Sequence, residues 1–273
     1  MIKNIIKKAG CRVLHGFKIF KFKNFNTRII AYHTVNPEYF EKQMMFLKKN
    51  FNVVSLSQAL DDLDKKQVVI TFDDGYLNNL KYAYPVLKKL GFRAVVYLTY
   101  DFVDRNEFSW WDRLEFSGKK TNINLLKMLK PELIEKKVKR ITGLGRDDKK
   151  PGKYDFMSWD DVKGSMDVFD FGSHTISHAI LTNVSLNQAE KEIAESKKKI
   201  EKKTGRRVVS FCYPNGNFND EIEKIVRKAG YESAVIYKKG NNDSSADRFK
   251  LLRRGINVKD DLEIFSCKVA GVF

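Results

Sequence analysis

One stretch of the sequence, residues 68–76, limits most strongly what this chain can fold into. It begins with a β-branched apolar run and ends with two adjacent carboxylates, Asp73 and Asp74, followed by Gly75. A short continuous apolar run is typical of a buried strand in a parallel sheet. Two carboxylates side by side raise each other's pKa and repel, unless a cation lies beside them. The stretch therefore predicts a buried strand with a cation site at its carboxyl end.

Similar apolar runs alternate with helical patterns along the chain. The runs that predict core strands lie at 29–33, 94–98, 168–173, 208–212, 233–236 and 251–253, and a short edge strand is predicted at 53–55. Amphipathic patterns between them predict helices, the clearest of which covers 185–203. About seven parallel strands alternating with helices indicate an α/β fold, and we expect a distorted, closed or nearly closed (β/α) barrel.

Two parts of the chain depart from this alternation. Residues 101–158 contain a tryptophan pair, a predicted helix over 125–141 and a charged loop, and we interpret them as an insertion that caps one face of a barrel domain spanning 29–273. Residues 1–28 carry eight Lys or Arg and no acid, with apolar residues at helical spacing. This pattern predicts a basic amphipathic helix, which either lies on an anionic membrane surface or docks on the domain with its lysines in water.

The net charge of +17 admits several partners. A nucleic acid, an anionic membrane surface or simply a lysine-rich solvated surface would each account for it. Because no nucleic-acid recognition motif is present, we expect no nucleic-acid partner. We find no apolar run long enough to cross a membrane and no signal-like apolar segment at residues 1–20. We therefore expect a cytoplasmic protein that contacts the inner face of the membrane through residues 1–28.

Ionisable side chains collect where the predicted strands end. His33 ends the first strand, the two aspartates end the strand at 68–72, and His174 and His178 follow the strand at 168–173. The carboxyl ends of the strands form the active face of parallel barrels. Two imidazoles and one carboxylate match the three protein ligands of a catalytic zinc site. One aspartate would then bind the metal, the other would act as a base, and His33 is the best placed proton donor.

Three motifs carry a family resemblance: TFDDG at 71–75, SHTISH at 173–178 and FCYPNG at 211–216. They resemble those of the polysaccharide deacetylases, the NodB-homology group also called carbohydrate esterase family 4. The resemblance implies a NodB-like barrel of about seven strands, with Asp73 as the catalytic base and Asp74, His174 and His178 as the metal ligands. It also implies that the third motif lines the groove, where the backbone N–H of Tyr213 binds the oxyanion and Pro214 and Asn215 contact the substrate.

The sequence departs from the family pattern at two positions. Phe211 stands where the family usually has an arginine that pairs with the base. Arg253 or Arg254, near the end of a late strand, would replace it, and of the two we favour Arg254. The usual histidine motif near the carboxyl terminus is missing, because no histidine follows His178. His33 resembles the arrangement of relatives that act on poly-N-acetylglucosamine, in which the acid histidine lies on the first strand.

These features predict a hydrolase that uses Zn²⁺, or Co²⁺, Ni²⁺ or Mn²⁺, to remove an N-acetyl group from an amino sugar. The substrate would be a cell-surface polysaccharide or its lipid- or nucleotide-linked precursor. An O-acetyl esterase or a cyclic-amide hydrolase on the same fold is an alternative, as is a non-catalytic carbohydrate-binding relative. Trp111 would either stack on a sugar ring or anchor the insertion.

Overall fold

Seven parallel strands close into a barrel in the computed structural model of the chain, which describes residues 26–271. Closure is achieved because the first strand pairs with both the third and the last. A two-residue strand pairs with the start of the third strand outside this ring. The strands are β1 (Arg28–Tyr32), β2 (Asn52–Val53), β3 (Gln67–Asp74), β4 (Ala94–Leu98), β5 (Phe169–Ser173), β6 (Ser210–Cys212), β7 (Ser233–Ile236) and β8 (Leu251–Gly255). The predicted barrel of about seven parallel strands is confirmed.

Helices connect the strands and cover the barrel. They are α1 (Pro37–Asn50), α2 (Leu56–Asp61), α3 (Tyr84–Leu90), α4 (Tyr100–Arg105), α5 (Trp110–Ser117), α6 (Ile123–Leu126), α7 (Pro131–Thr142), α8 (Trp159–Gly164), α9 (Leu186–Thr204), α10 (Asp220–Lys228) and α11 (Leu262–Ala270). A π-helical turn, Asn79–Ala83, leads into α3. The longest, α9, begins after Ser185, whose side chain accepts a hydrogen bond from the Gln188 N–H, and ends at Gly205 in the left-handed conformation.

Side chains alternate between two hydrophobic clusters along the strands. Ile30, Ile70 and Val96 belong to the large cluster that the barrel forms with its helices. Their strand neighbours Ile29 and Val69 belong to a smaller cluster, which fills the barrel interior together with Val95, Tyr97, Cys212, Val235 and Leu251. This period of two follows from the pleat of a strand, which directs successive side chains to opposite faces. It decides which polar side chains reach the inside of the barrel.

The segment between β4 and β5 carries α4 to α8, and we call its residues 101–158 the cap. The helix predicted over 125–141 is wrong in one respect, because the structure has two helices there. Lys130 is extended and Pro131 occupies the first turn of α7. Proline disfavours a helical conformation in the preceding residue, so α6 cannot run on into α7. Leu114, Leu126, Ile134 and Val138 give the cap a small core of its own.

The predicted amphipathic segment, residues 1–28, falls almost entirely outside the described residues. Only its last three residues are described, and Arg28 already belongs to β1. Its helical character and its membrane contact therefore stay predictions. Within residues 26–271, no helix combines the length and the apolar character that a transmembrane span needs.

Candidate active site

A cavity of about 400 Å³ opens at the carboxyl ends of the barrel strands, under the cap. The barrel and its loops contribute polar side chains to its wall: His33, Asp73, Asp74, His174, His178, Tyr213, Asn215 and Arg253. The cap contributes mostly apolar ones: Trp110, Trp111, Ile123, Leu129 and Ile134, together with Lys127 and Arg146. The strand ends thus bring together all five ionisable residues that the sequence singled out.

Asp74, His174 and His178 form a cluster with the composition of a metal site. Asp74 Oδ1 lies 3.8 Å from His174 Nε2 and 3.6 Å from His178 Nε2. Both carboxylate oxygens of Asp74 are buried and have no hydrogen-bond partner within the described part of the chain. Buried carboxylate oxygens without partners are costly, and a bound cation would satisfy them. One carboxylate and two imidazoles fit a zinc-like divalent ion.

The imidazole of His174 is oriented by the barrel. Its Nδ1 lies 2.7 Å from the carbonyl oxygen of Cys212, so Nδ1–H donates that bond and the lone pair of Nε2 faces Asp74. Burial lowers the pKa of His174 to about 4, which keeps the ring neutral. Neutral imidazole is the form that binds a metal. The predicted ligand is therefore held in the correct tautomer by the end of β6.

The loop after β5 is held in place by a buried glutamate that sequence reasoning missed. Glu192 Oε2 accepts hydrogen bonds from the N–H groups of Ile176 and Ser177, at 2.9 and 3.0 Å. Its Oε1 accepts another from the Ser177 hydroxyl at 2.8 Å. Glu192 is an acid on the buried face of α9, and this break in the apolar stripe was the available signal. The loop that carries His178 is thus fixed by the helix behind it.

Backbone strain is concentrated at this site. Five residues other than glycine adopt positive φ in the described part of the chain, and four of them belong to the candidate site or its loops. These four are Asp74 (φ 71°), Thr175 (φ 71°), His178 (φ 58°) and Asn215 (φ 58°). Left-handed backbone costs on the order of 1–3 kcal/mol per residue and persists where the surroundings enforce it, often at functional sites.

Asp73 is bound by Arg253 inside the barrel. Arg253 Nη1 donates to Asp73 Oδ1 at 2.7 Å, and Nη2 donates to Oδ2 at 2.8 Å. Nη1 also lies 3.1 Å from Thr71 Oγ1, and Nη2 lies 2.9 Å from Cys212 Sγ. Burial acts to raise the pKa of Asp73, but the Arg253 guanidinium outweighs it and holds that pKa well below its usual range. Asp73 is therefore a fixed, ionised carboxylate.

The expectation that Arg254 replaces the missing arginine is wrong. Arg254 follows Arg253 on β8, pairs in register with Ile30 and does not line the cavity. Arg253 pairs with Ile29, which belongs to the interior cluster, so its side chain points into the barrel. Successive residues of a strand face opposite sides, and only one of the two arginines can reach Asp73. Leu251 and Leu252 are both apolar, so the sequence carried no local signal for this choice.

His33 follows β1 and lines the same cavity, where its side chain is exposed. Desolvation by the cavity wall, helped by the Arg253 and Lys127 cations, lowers the pKa of His33 more than the neighbouring Asp73 carboxylate raises it. The ring of Tyr237 lies beside it, with centroids 6.4 Å apart. His33 thus lies on the cavity wall, where it can exchange a proton with a bound molecule.

Comparison with known proteins agrees with this arrangement. The family model described as polysaccharide deacetylase matches residues 61–234, which is more than half of the chain. The chain belongs to the polysaccharide deacetylase family. Among curated proteins, YxkH of Bacillus subtilis (strain 168), which is named for the same family, is 27% identical to this chain over 227 residues. The match covers 78% of this chain and 64% of YxkH, so the chain spans slightly less than two thirds of that relative.

Several solved structures share the fold of this chain. BA0330 of Bacillus anthracis, named for the same family, has a TM-score of 0.65 at 24% identity and covers 89% of this chain and 69% of its own. The deacetylase PplD of Streptococcus pyogenes, solved in complex with acetate, has a TM-score of 0.66 at 20% identity, with 90% and 99% coverage. The family resemblance drawn from the three motifs is thereby confirmed, together with the fold that it implies.

In the third motif, residues 211–216, one contact differs from the expectation that the Tyr213 N–H is free to bind an oxyanion. The backbone N–H of Tyr213 donates to the carbonyl oxygen of Val235 at 3.2 Å, as part of the pairing of β6 with β7. This N–H is therefore engaged in the sheet, and the predicted oxyanion role of Tyr213 would require it to be shared. Pro214 is buried and does not line the cavity, whereas Asn215 does.

Trp111 packs beside the cluster formed by Asp74, His174 and His178. Its ring centroid lies 4.6 Å from that of His178, and its Nε1 donates to the Tyr76 hydroxyl at 2.8 Å. The Tyr76 hydroxyl donates in turn to Asp112 Oδ2 at 2.7 Å. These contacts tie the cap to the end of β3 and support the anchoring interpretation, while the cavity face of Trp111 remains part of the wall.

Proposed function

We propose that this protein is a metal-dependent hydrolase that removes the N-acetyl group from an amino sugar. The substrate is a cell-surface polysaccharide or its lipid- or nucleotide-linked precursor. The single observation that carries the proposal is that two adjacent carboxylates in one cavity have different surroundings. Asp73 is ionised and clamped by Arg253, whereas Asp74 faces two histidines with both oxygens unpartnered. Such a pair separates the roles of base and metal ligand.

Asp74, His174 and His178 would hold the metal, which we propose to be Zn²⁺, with Co²⁺, Ni²⁺ or Mn²⁺ as alternatives. A divalent ion there would supply Lewis acidity that polarises the acetamide carbonyl and lowers the pKa of a water molecule. Cys212 does not belong to this set, because burial raises the pKa of its thiol and keeps it protonated, and its Sγ accepts a hydrogen bond from Arg253 Nη2 at 2.9 Å. The donor set of one oxygen and two nitrogens suits zinc-like ions.

The chain's own residues then divide the proton transfers. Asp73 takes a proton from the attacking water, and the bidentate contact with Arg253 keeps its carboxylate in one orientation during that transfer. His33, on the cavity wall, delivers a proton to the departing nitrogen. The products are acetate and a free amine. Phe102 and Trp111 pack against His178 and limit the access of water from the cap side.

The test is an assay of the metal-loaded protein on N-acetylated sugars that are free, nucleotide-linked or lipid-linked. We expect acetate and a new primary amine in equal amounts. Acetate without an amine would instead indicate the O-acetyl esterase alternative. Ring opening without acetate would indicate the cyclic-amide hydrolase. Metal binding with no turnover on any substrate class would favour the non-catalytic carbohydrate-binding alternative.

Substitution of the two aspartates tests the division of roles. Asp73→Asn should lower kcat by about 10²–10⁴-fold, the usual worth of a positioned general base, while the protein still binds one metal ion. Asp74→Asn should lose both the metal and the activity, as measured by metal analysis after gel filtration. Turnover that persists in Asp73→Asn would show that Asp73 is not the base.

We also propose that the protein works in the cytoplasm at the inner face of the membrane, held by the basic residues 1–28. The support is the sequence pattern alone, with its eight cations and no acid. Flotation with anionic vesicles at physiological salt should carry the protein upward. Replacing Lys3, Lys7 and Lys8 by glutamine should reduce the floated fraction, and an unchanged fraction would contradict this role.

A further inference from the structure

Lys127 brings a positive charge from the cap to the wall of the active-site cavity. It follows α6 and is partly buried, and its Nζ donates to Asn215 Oδ1 at 2.6 Å. Within residues 26–271, this Nζ forms no ion pair with a carboxylate. A lysine on a cavity wall whose hydrogen-bond acceptor is a neutral amide is an unusual arrangement, because its charge remains uncompensated.

The other two cationic side chains of the cavity wall are compensated. Arg253 is bound to Asp73 through two nitrogens. Arg146 Nε lies 3.3 Å from Glu135 Oε2, and its Nη1 lies 3.8 Å from Glu107 Oε2. Within the described residues, Lys127 therefore differs from both arginines in having its positive charge available to a molecule that enters the cavity.

The position of Lys127 is fixed from both sides. Its carbonyl oxygen accepts a hydrogen bond from Asn183 Nδ2 at 2.8 Å, and the same Nδ2 donates to the Leu129 carbonyl at 3.0 Å. Asn215, which holds the Nζ, adopts left-handed backbone at φ 58°, and its Nδ2 donates to Asn217 Oδ1 at 2.9 Å. Restricting a long lysine side chain costs conformational entropy, so a held lysine is better suited to binding than a free one.

The surroundings of Lys127 make an anion a favourable occupant. Ile123 and Leu129 line the wall on either side of it in the sequence. Partial burial lowers the pKa of Lys127, which shows that its environment opposes the charged form. A charge that is partly desolvated gains from a ligand of opposite charge, and charge-assisted hydrogen bonds are about twice as strong as neutral ones.

We propose that Lys127 and Asn215 form an anion subsite that takes a phosphate or carboxylate substituent of the acetylated sugar. The identity of the sugar rests on the proposed function, whereas the subsite itself rests on the cavity and its contacts. The subsite shares one cavity with the Asp74 cluster, so the acetamido group and the anionic group would be bound at the same time. The substrate class narrows accordingly to acidic or phosphorylated N-acetylated sugars.

Binding of small anions to the metal-free, full-length protein tests the subsite directly. Metal is removed so that anions cannot bind to it, and the fluorescence of Trp110 and Trp111 on the cavity wall reports occupancy. The probes are N-acetylglucosamine 1-phosphate for phosphate, N-acetylmuramic acid for carboxylate and methyl N-acetylglucosaminide as the neutral sugar. Lys127→Gln should weaken phosphate or carboxylate binding by about 10- to 100-fold, the usual worth of a hydrogen bond to a charged group. Lys127→Arg should retain it.

Lys130→Gln is the matched control, because Lys130 is an exposed cap lysine that does not line the cavity. In the metal-loaded protein, the ratio of kcat/KM for N-acetylglucosamine 1-phosphate or N-acetylmuramic acid to that for methyl N-acetylglucosaminide should fall about tenfold in Lys127→Gln and stay constant in Lys130→Gln. Whichever of the two ratios falls, that for the phosphorylated or that for the carboxylated sugar, identifies the group that the subsite binds.

Two results would overturn the subsite: anion affinities that are equal in the wild type and Lys127→Gln, or an unchanged ratio of kcat/KM in that variant. Anion binding that depends on Lys127, without acetate release from any sugar, would leave the subsite standing and refute the proposed deacetylation. Acetate release from the neutral sugar, with no effect of Lys127 on anion binding, would refute the subsite and leave the proposed deacetylation standing.

Discussion

Arg253 keeps the carboxylate of Asp73 ionised and fixed in one orientation. Both side chains are almost completely buried, and the guanidinium meets the carboxylate with two nitrogens. The guanidinium also lies over the ring of Tyr97, at 5.4 Å from the centroid. A buried ion pair of this geometry contributes little net stability, but the loss of one partner leaves an uncompensated charge. The pair is therefore better explained by the need for an oriented, ionised base than by stability.

Replacing Arg253 by glutamine tests that explanation. The variant leaves the Asp73 carboxylate buried without a counter-charge, so we expect the free energy of unfolding to fall by about 3–5 kcal/mol. We expect kcat to fall by about 100-fold or more, because the base loses its orientation. Urea unfolding and acetate release measure the two effects, and metal content should be unchanged.

Arg254→Gln provides the matched control on the next residue of β8. Its side chain lies on the other face of the strand from Asp73. We expect a smaller effect on stability and an effect on kcat of less than about threefold, in line with a change away from the site. A greater loss of kcat in Arg254→Gln than in Arg253→Gln would contradict the assignment of Arg253 as the partner of Asp73.

At the scale of elements, one side chain of the barrel loops holds the backbone of the cap segment that carries Lys127. Asn183, at the end of the short helix Leu181–Asn183, donates through Nδ2 to the carbonyl oxygens of Lys127 and Leu129. Asn183→Ala removes both bonds and should cost about 1–2 kcal/mol of stability. Faster hydrogen exchange over residues 123–130 and a raised KM would show that the segment has loosened.

Asn187→Ala is the control for Asn183→Ala, because Asn187 is an exposed asparagine on α9. We expect it to leave both the exchange rates of 123–130 and the KM close to those of the wild type. Equal exchange rates in the two variants would mean that the apolar core of the cap, rather than Asn183, holds this segment.

The barrel itself depends on a close approach between β4 and β5. A Cβ atom added at Gly172 would clash with the ring of Tyr97 and lie 2.9 Å from the carbonyl oxygen of Ser210. Gly172→Ala should therefore lower the free energy of unfolding by about 1–3 kcal/mol through overpacking. Gly164→Ala is the control, since a Cβ atom there meets only open space. Chemical denaturation measures the free energy of unfolding of both variants. Equal values for Gly172→Ala and Gly164→Ala would contradict tight packing at Gly172.

At the scale of the whole molecule, much of the architecture follows from short-range patterns in the sequence. The eight strands were predicted to within a few residues, because buried parallel strands are apolar on both faces and stand out from amphipathic helices. The paired aspartates and the spaced histidines came together for the same reason, since the carboxyl ends of parallel strands meet on one face.

The errors arose where the outcome depended on contacts between distant elements. The choice between Arg253 and Arg254 depends on the phase of β8 in the barrel, and apolar residues at both 251 and 252 leave that phase undetermined by the sequence. The engagement of the Tyr213 N–H depends on the register of β6 against β7. The charge of Lys127 in the cavity depends on how the cap folds back over the barrel, which no local pattern encodes.

Metal binding should be coupled to the stability of the whole fold. The three proposed ligands lie at the end of β3 and in the loop after β5, about 100 residues apart in sequence, so only the folded chain brings them together. An ion that binds only the folded state at 100 times its Kd adds about 2.7 kcal/mol of stability. For a chain of this size, that corresponds to a rise in Tm of roughly 5–10 °C.

Asp74→Asn should abolish this rise, whereas Asp73→Asn should retain it. Asp74→Asn should also make the metal-free protein more stable than the wild type, by about 1–3 kcal/mol, because it removes a buried carboxylate whose oxygens have no partner in the described residues. Thermal unfolding in EDTA and in excess Zn²⁺ gives both numbers for each variant. If Zn²⁺ stabilises Asp74→Asn as much as the wild type, the ion binds elsewhere and the proposed metal site is wrong. If Asp74→Asn destabilises the metal-free protein, the carboxylate serves the fold rather than the metal.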